Sequence, residues 1–327
     1  MNFITIGNKF EMISSHFCYD TKNISVIKRI SYDDNYYVEQ FDEAIRNYDY
    51  QAIVYSGKEP HKVARYLDQY VDSLCNINIA KKYRYALKAV RLQNTNLSEK
   101  YTTKCSRDSI LSSSNAYVKV ALSYPFDILF VQTYGDAEIF NAILGRNSAY
   151  YFPFAFNENV FFPRKSSKIV DIGMYCAVER HAYRLDFIKH ILELSMKNGW
   201  KFEFSNAYWG TEYACALNRA KINLHLSKMG DVPYRLYECA GSKLCLLTDP
   251  LLFGVEHLYT PGEHFVQYKR DCSDIEEKIK WLLENPNERE FIAEAAYNQA
   301  TSHHTWNVIA ETYVVPIVSD LLRQRTR

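Results

Sequence analysis

Arg235 and Glu238 stand three residues apart in the run AKINLHLSKMGDVPYRLYECAGSKLCLLTD, residues 220–249. On a helix that spacing places both side chains on one face. A cation there can meet a phosphate, and a carboxylate one turn on can accept hydrogen bonds from both hydroxyls of a ribose. The pair then acts as a nucleotide clamp. The same spacing also makes an ordinary intrahelical ion pair worth a few tenths of a kcal/mol, roughly, and spacing alone favours that second reading.

The neighbouring residues suit a bound anion. A strand over 222–226 runs into a loop carrying Ser227, Gly230 and Asp231, and Pro233 opens the next helix, where its missing N–H costs nothing. Ligands of open α/β sheets bind at the carboxyl ends of strands, where helix N-termini offer free N–H groups. Gly241 and Ser242 close the helix, and Thr248 and Asp249 follow the next strand; for these, lining a cleft and simple capping compete evenly. Gly7, after the opening strand, is either a turn residue or a second approach to the same ligand. His16, Asp20, His61 and Asp136 are the candidates for deprotonating a hydroxyl acceptor, each with a structural role as the alternative. His303 and His304 resemble a metal pair, yet helix neighbours diverge by about 100°, so the expectation is that one of them packs at a domain junction and that there is no metal site.

A second constellation lies at residues 76–126, where nine basic residues face two acidic ones and five tyrosines are interleaved. Lys81, Lys82, Arg84 and Lys88 head this excess of positive charge, with Tyr83 and Tyr85 among them. Cations with stacking rings suit a polyanion that exposes its bases. A solvated basic face with partly buried tyrosines gives the same pattern and is the commoner arrangement.

Strand-like and helix-like runs alternate through most of the chain, which predicts α/β layering with a mainly parallel sheet in each half. Residues 76–115 read poorly in either period, as in a loop-rich insertion. The rhythm changes at 150–163, where Pro153 and Pro163 enclose Phe154, Phe156, Phe161 and Phe162, as in a linker packed against both halves. The expected division is therefore 1–152 and 153–305, with the helical tail 306–327 returning to the first half. At 327 residues the chain exceeds what a single core usually serves.

Composition narrows the class. With 47% hydrophobic and 24% charged residues the chain is globular, and a net charge of +1 gives no global field for a nucleic acid or a membrane. No long apolar run or basic-flanked leader is legible, so membrane insertion and export are not expected. The eight cysteines show no C-x-x-C spacing. They read as reduced thiols of a cytoplasmic protein.

The window 220–249, its continuation FGVEHLYTPGEHFVQY (253–268), IEEKIKWLLENPNEREFIAEAA (275–296) and HHTWNVIAETY (303–313) resemble the C-terminal domain of family 1 glycosyltransferases. YYFPFAFNENVFFP (150–163) and VDIGMYCAVERHAYRLDFI (170–188) are similar to the CgeB-like, spore-maturation-type branch. The resemblance spans roughly residues 128–313 and implies the GT-B fold: two facing Rossmann-like domains, a nucleotide-sugar donor in the second and an acceptor in the first. It implies that Glu238 binds the donor ribose, that Arg235 is the basic residue preceding it, and that Arg180 approaches the diphosphate. Many relatives carry a further Glu eight positions before the ribose carboxylate; here Gly230 stands there, with Asp231 beside it as the substitute.

The resemblance further implies transfer of a hexose, with retention, from a nucleotide sugar such as UDP-glucose, with no tightly bound cofactor. The basic segment points to a nucleic-acid acceptor, in its most concrete form a hydroxymethylated base in DNA. A surface glycan, a protein or a small metabolite are alternatives, and a nucleotide-sugar epimerase shares the fold. The oligomeric state is not legible.

Overall fold

The computed structural model describes residues 1–7, 20, 23–56, 59–92, 116–178, 183–208, 210–227, 230, 232–252, 255 and 258–326. The chain divides into two compact units, Met1–Pro153 with Trp306–Arg327, and Phe154–Thr305.

In the first unit the described elements run β1 (Asn2–Gly7), β2 (Ser25–Ser31), α1 (Tyr37–Asn47), β3 (Ala52–Tyr55), α2 (Pro60–Ser73), α3 (Ile77–Tyr85), β4 (Leu87–Arg91), α4 (Ala116–Ser123), β5 (Ile128–Val131), α5 (Tyr134–Leu144) and β6 (Ala149–Tyr151). The strands form one parallel sheet in the order β2-β1-β3-β4-β5-β6. β3 (AIVY) and β5 (ILFV) are buried throughout, as apolar strands covered by helices on both faces must be. Thr133 caps α5 by accepting the Asp136 N–H at 3.0 Å, and Gly145 ends the helix with φ of 65°. The reading of 76–115 as a loop-rich insertion is corrected for its first part. Asn76 caps α3 through the Ile79 N–H, and β4 is a fully buried central strand. Residues 93–115 lie outside the described set.

The second unit contains β7 (Val170–Tyr175), α6 (Tyr183–Asn198), β8 (Phe202–Ser205), α7 (Gly210–Arg219), β9 (Ala220–His225), α8 (Tyr234–Gly241), β10 (Leu246–Thr248), β11 (Val266–Gln267), α9 (Ile275–Glu284) and α10 (Pro286–His303). Its sheet is again parallel, ordered β11-β10-β9-β7-β8. Ile172, Met174, Ile222, Leu224 and Leu247 pack with α6 and α9 on one face. Leu217, Leu236, Tyr237 and Leu246 belong to a separate core cluster involving α7, α8 and α10. In this sheet the strand order turns back between β7 and β9, so the connections leaving those two strands diverge and open a crevice at their carboxyl ends.

The tail is α11 (Trp306–Ile309), a π-helical stretch Ala310–Val314 and α12 (Val315–Thr326), so the helical tail carries a π-helical stretch within it. α12 is fastened to the first unit by Arg325, which donates to the carbonyls of Tyr85 and Ala86 and pairs with Asp127. Among the described residues no helix is long and apolar enough to cross a membrane.

Candidate functional site

The crevice between β7 and β9 is where the chemistry-bearing residues of the second unit gather. β9 ends at His225, and the backbone then passes Leu226 and Ser227 before α8 begins at Tyr234, with Pro233 as its N-cap instead of its first helical residue. Arg235 is buried. Its Nε donates to the Tyr213 hydroxyl at 3.0 Å, and its Nη1 donates to the Leu224 carbonyl at 3.0 Å. Two of its three nitrogens are thus bonded inside the unit.

Glu238, one turn along α8, is partly exposed and accepts the Tyr213 O–H on Oε2 at 3.1 Å. Burial pushes its carboxyl up to about 7, against the opposing pull of Arg235 and Tyr213. Arg235 and Glu238 therefore do share a face, but a third side chain joins them. Tyr213 comes from α7, its ring set edge-on to Phe161 and Tyr175, and its hydroxyl accepts from the cation while donating to the anion.

The loop ahead of α8 is held from beneath. Asp249, fully buried after β10, accepts the Ser227 N–H at 2.7 Å and the Ser227 O–H at 2.6 Å. Ser227 Oγ in turn accepts the Gly230 N–H at 2.8 Å, and the Gly230 carbonyl accepts the Leu252 N–H at 2.8 Å. Gly230 has φ of 88°, and a Cβ there would stand 2.9 Å from Leu252, so this residue is glycine for backbone reasons. Arg184, in the first turn of α6, spans the crevice, donating to the carbonyls of Ala177 at 2.9 Å and Leu226 at 3.5 Å. Between these cations the buried His225 is held neutral, by burial first and then by Arg235 and Arg184.

Several expected ligands take other places. Ser227 is buried with its hydroxyl committed to Asp249, so it shapes the loop instead of facing a ligand. Of the two readings open for Gly241 and Ser242, their surroundings are those of packing and capping residues. A Cβ on Gly241 would lie 2.4 Å from the Phe156 ring, and Ser242 is 1% exposed at the C-cap. Arg180 and Asp231 lie outside the described residues. His304 packs inside the second unit, stacked on Tyr259 and edge-on to Tyr237, and burial takes its imidazole down to about 4. Among the described residues no three His, Cys, Asp or Glu side chains converge as a metal site.

In the first unit Gly7 ends β1, its carbonyl accepting the Tyr32 N–H at 3.1 Å. Asp20 accepts the Val26 N–H, and Asp136, in the first turn of α5, is fully buried. His61 sits in the first turn of α2, after the carboxyl end of β3, with its pKa lowered by burial. His16 lies outside the described residues.

The basic group is corrected more sharply. α3 leads into β4, so Lys81, Lys82 and Arg84 sit at the amino edge of the sheet, the edge opposite to the one where open α/β sheets bind ligands. Lys82 donates to the Tyr48 carbonyl and Arg84 pairs with Asp72. Lys88 is buried on β4, its ammonium donating to the Tyr83 and Ala86 carbonyls and lying 3.7 Å from the centre of the Tyr83 ring. These four do not form one face.

Spacing could not have revealed Tyr213, because its partners lie more than twenty residues away and pair with it only through folding. Arg184 carried a signal, a cation in the first turn of the helix after the unit's first strand.

Residues 176–314 match the model of a family described as glycosyl transferase-like. No curated protein sequence matches the chain. Over the whole chain the fold matches GT-B glycosyltransferase structures. HepE of Anabaena in complex with UDP-glucose is similar with a TM-score of 0.59 at 10% identity, covering 99% of this chain and 100% of that one. A glycosyltransferase from Rickettsia africae ESF-5 matches with a TM-score of 0.59 at 10% identity, over 98% of each chain. Sucrose-phosphate synthase from Thermosynechococcus elongatus has a TM-score of 0.57 at 12% identity, over 92% of this chain and 82% of that one.

Proposed function

We propose that the protein transfers a hexose from a UDP-sugar to a hydroxyl acceptor, with the donor nucleotide held in the crevice between β7 and β9. The observation that carries the reading is the Arg235–Tyr213–Glu238 constellation, a cation and a carboxylate presented together at the head of α8 within the glycosyl transferase-like segment. Glu238 accepts the ribose hydroxyls. Arg235 and Arg184, with the N–H groups at the start of α8, face the diphosphate. Arg180 and Asp231 stand in the connections that follow β7 and β9, and we assign them to the diphosphate and the sugar. HepE, of the same fold, is a UDP-glucose complex, which supports a uridine nucleotide.

In the proposed reaction the acceptor oxygen bonds to the anomeric carbon as the bond from that carbon to the β-phosphate oxygen breaks. The acceptor proton passes to the departing phosphate, and the arginines stabilise the charge that develops there. Front-face attack retains configuration and needs no protein nucleophile. The CgeB-like motifs support membership of that branch, and the thiols of Cys75, Cys215, Cys239, Cys245 and Cys272 suit a reducing, cytoplasmic setting. A neutral hydroxyl acceptor is favoured over DNA, since Lys81, Lys82 and Arg84 lie at the amino edge and Lys88 is buried.

The test is incubation with a panel of nucleotide sugars against neutral glycans, protein and hydroxymethylated DNA, read by mass spectrometry. Gain of one hexose on an acceptor with UDP-glucose supports the reading. An epimerised donor without acceptor makes the protein an epimerase, and no turnover with any donor makes it a binding protein.

A further inference from the structure

β9 ends at the crevice with a buried histidine. Side chains alternate along a strand. Ile222 and Leu224 point to α6 and α9, whereas Asn223 reaches α7, its Nδ2 donating to the Leu217 carbonyl at 3.3 Å; His225 therefore leaves the strand on the side of α7 and α8. It is 7% exposed, and its Nδ1 is sealed from solvent with no hydrogen-bond partner, while Nε2 is not sealed. No described residue bonds either ring nitrogen. An unpaired polar atom in a native interior is uncommon and calls for a partner.

Burial first, then Arg235 from α8 and Arg184 from the first turn of α6, hold the imidazole's pKa well below its ordinary 6.5, and no carboxylate opposes them. The other ionisable groups around the crevice have partners of their own. Asp249 accepts from Ser227 and lies 3.9 Å from Arg270, Tyr213 joins Arg235 to Glu238, and Tyr268 donates to the His225 carbonyl at 2.8 Å. The ring is therefore neutral and carries one proton. On Nδ1 that proton would be a buried, unpaired donor beside two cations; on Nε2 it stands at the accessible edge. Arg184 and Arg235 each commit two nitrogens to protein acceptors, so an anion drawn between them still lacks donors. A third cation there would be repelled, whereas a neutral N–H adds a directed bond to an anionic oxygen without adding charge. We propose that His225, as a neutral imidazole, donates its Nε2–H to a phosphate oxygen of the donor's diphosphate between Arg184 and Arg235. The assignment rests on the donor site proposed above.

The test is calorimetric titration of UDP, and of uridine, which lacks the phosphates, against the full-length protein and its variants. His225→Leu is expected to bind UDP about tenfold more weakly and uridine as the parent does; His225→Gln, whose amide N–H stands near the place of Nε2, stays within about threefold of the parent for both. Glu238 ionises at about 7 in parent and variant alike, so the ratio of their UDP affinities isolates the histidine. That ratio is expected to stay level between about pH 5.5 and 8.5. Circular dichroism reports folding; should His225→Leu fail to fold, His225→Asn, whose amide reaches only the place of Nδ1, replaces it with the same tenfold expectation. Unchanged UDP affinity in the folded variant overturns the contact and leaves a histidine satisfied by buried water. Equal weakening of UDP and uridine makes the residue structural, and a ratio that grows as pH falls makes the ring a cation; either result overturns the assignment. Absence of UDP binding to the unaltered protein overturns the donor reading and the assignment with it.

Discussion

The Tyr213 hydroxyl lies 3.1 Å from Glu238 Oε2, and it is the only direct link between that carboxylate and Arg235 among the described hydrogen bonds. A tyrosine placed between a cation and an anion orients both without neutralising either. Tyr213→Phe removes the hydroxyl and leaves the ring contacts to Phe161 and Tyr175. Losing one hydrogen bond to a charged group costs about 1.5–3 kcal/mol, so uridine affinity is expected to fall roughly tenfold or more. The midpoint of its pH dependence should also move upward, because the hydroxyl favours the ionised carboxylate. Titration calorimetry at several pH values reads both. An unchanged midpoint and affinity would make Tyr213 a packing residue.

Glu238 itself carries a pH signature. Its carboxyl ionises at about 7 in the folded chain against an ordinary value of 4.5. Only the ionised form accepts from both ribose hydroxyls, so uridine binding should tighten as pH rises through about 7. Glu238→Gln should flatten that profile. Stability runs the opposite way: a raised carboxyl contributes most below 4.5 and loses that contribution as pH rises through 7, because the unfolded chain sheds the proton first. Thermal unfolding of the Gln variant should therefore show a weaker decline between those values than the parent.

The sequence made the two parallel sheets legible because apolar strands and amphipathic helices announce themselves locally, as in β3, β5 and α2. It also put Arg235 and Glu238 together, since a three-residue spacing is a local property of a helix. What it could not carry were contacts made by folding. Tyr213 is silent in any short window, Asp249 reads only as lining or capping and not as the anchor of Ser227, and Lys88 counts as one more surface charge until β4 is seen at the centre of a sheet with the ammonium turned inward. Charge along a chain does not say which edge of a sheet the charge will occupy.

Asp249 anchors the loop before α8, and its removal should be felt there first. Asp249→Ala leaves the buried Ser227 N–H and O–H without their acceptor, an expected loss of about 2–4 kcal/mol in stability. Asp249→Asn keeps one oxygen for the Ser227 N–H and should lose about half as much. Denaturant unfolding of both variants checks the order; equal losses would mean that the Ser227 N–H bond kept by Asn carries nothing.

Gly241 sets a steric limit at the end of α8. Alanine there gains up to about 1 kcal/mol in helix propensity. Its Cβ, however, would stand 2.4 and 2.6 Å from two Phe156 ring atoms. Overpacking of that kind costs about 1–3 kcal/mol, so Gly241→Ala is expected to be destabilising overall. Phe156→Leu in the same chain should recover part of the loss, and a double-mutant cycle measures the coupling.

Lys88 separates the two accounts of the basic segment. Burial depresses its ammonium to about 8, with Asp68 and Asp127 opposing and Arg325 reinforcing the shift. At neutral pH the charged form therefore costs the folded state free energy. Between about 8 and 10.5 the folded chain releases this proton before the unfolded chain does, so stability should rise with pH across that window. Lys88→Met removes the charge along with two hydrogen bonds to backbone carbonyls, and should flatten the alkaline rise while leaving UDP affinity and hexose transfer within about twofold of the parent. Lys81→Ala, at an exposed position of α3, should change neither. The segment recovers a role in acceptor recognition if either substitution weakens transfer while UDP binding holds; a flattened stability profile with unaltered kinetics assigns Lys88 to the core of the first unit.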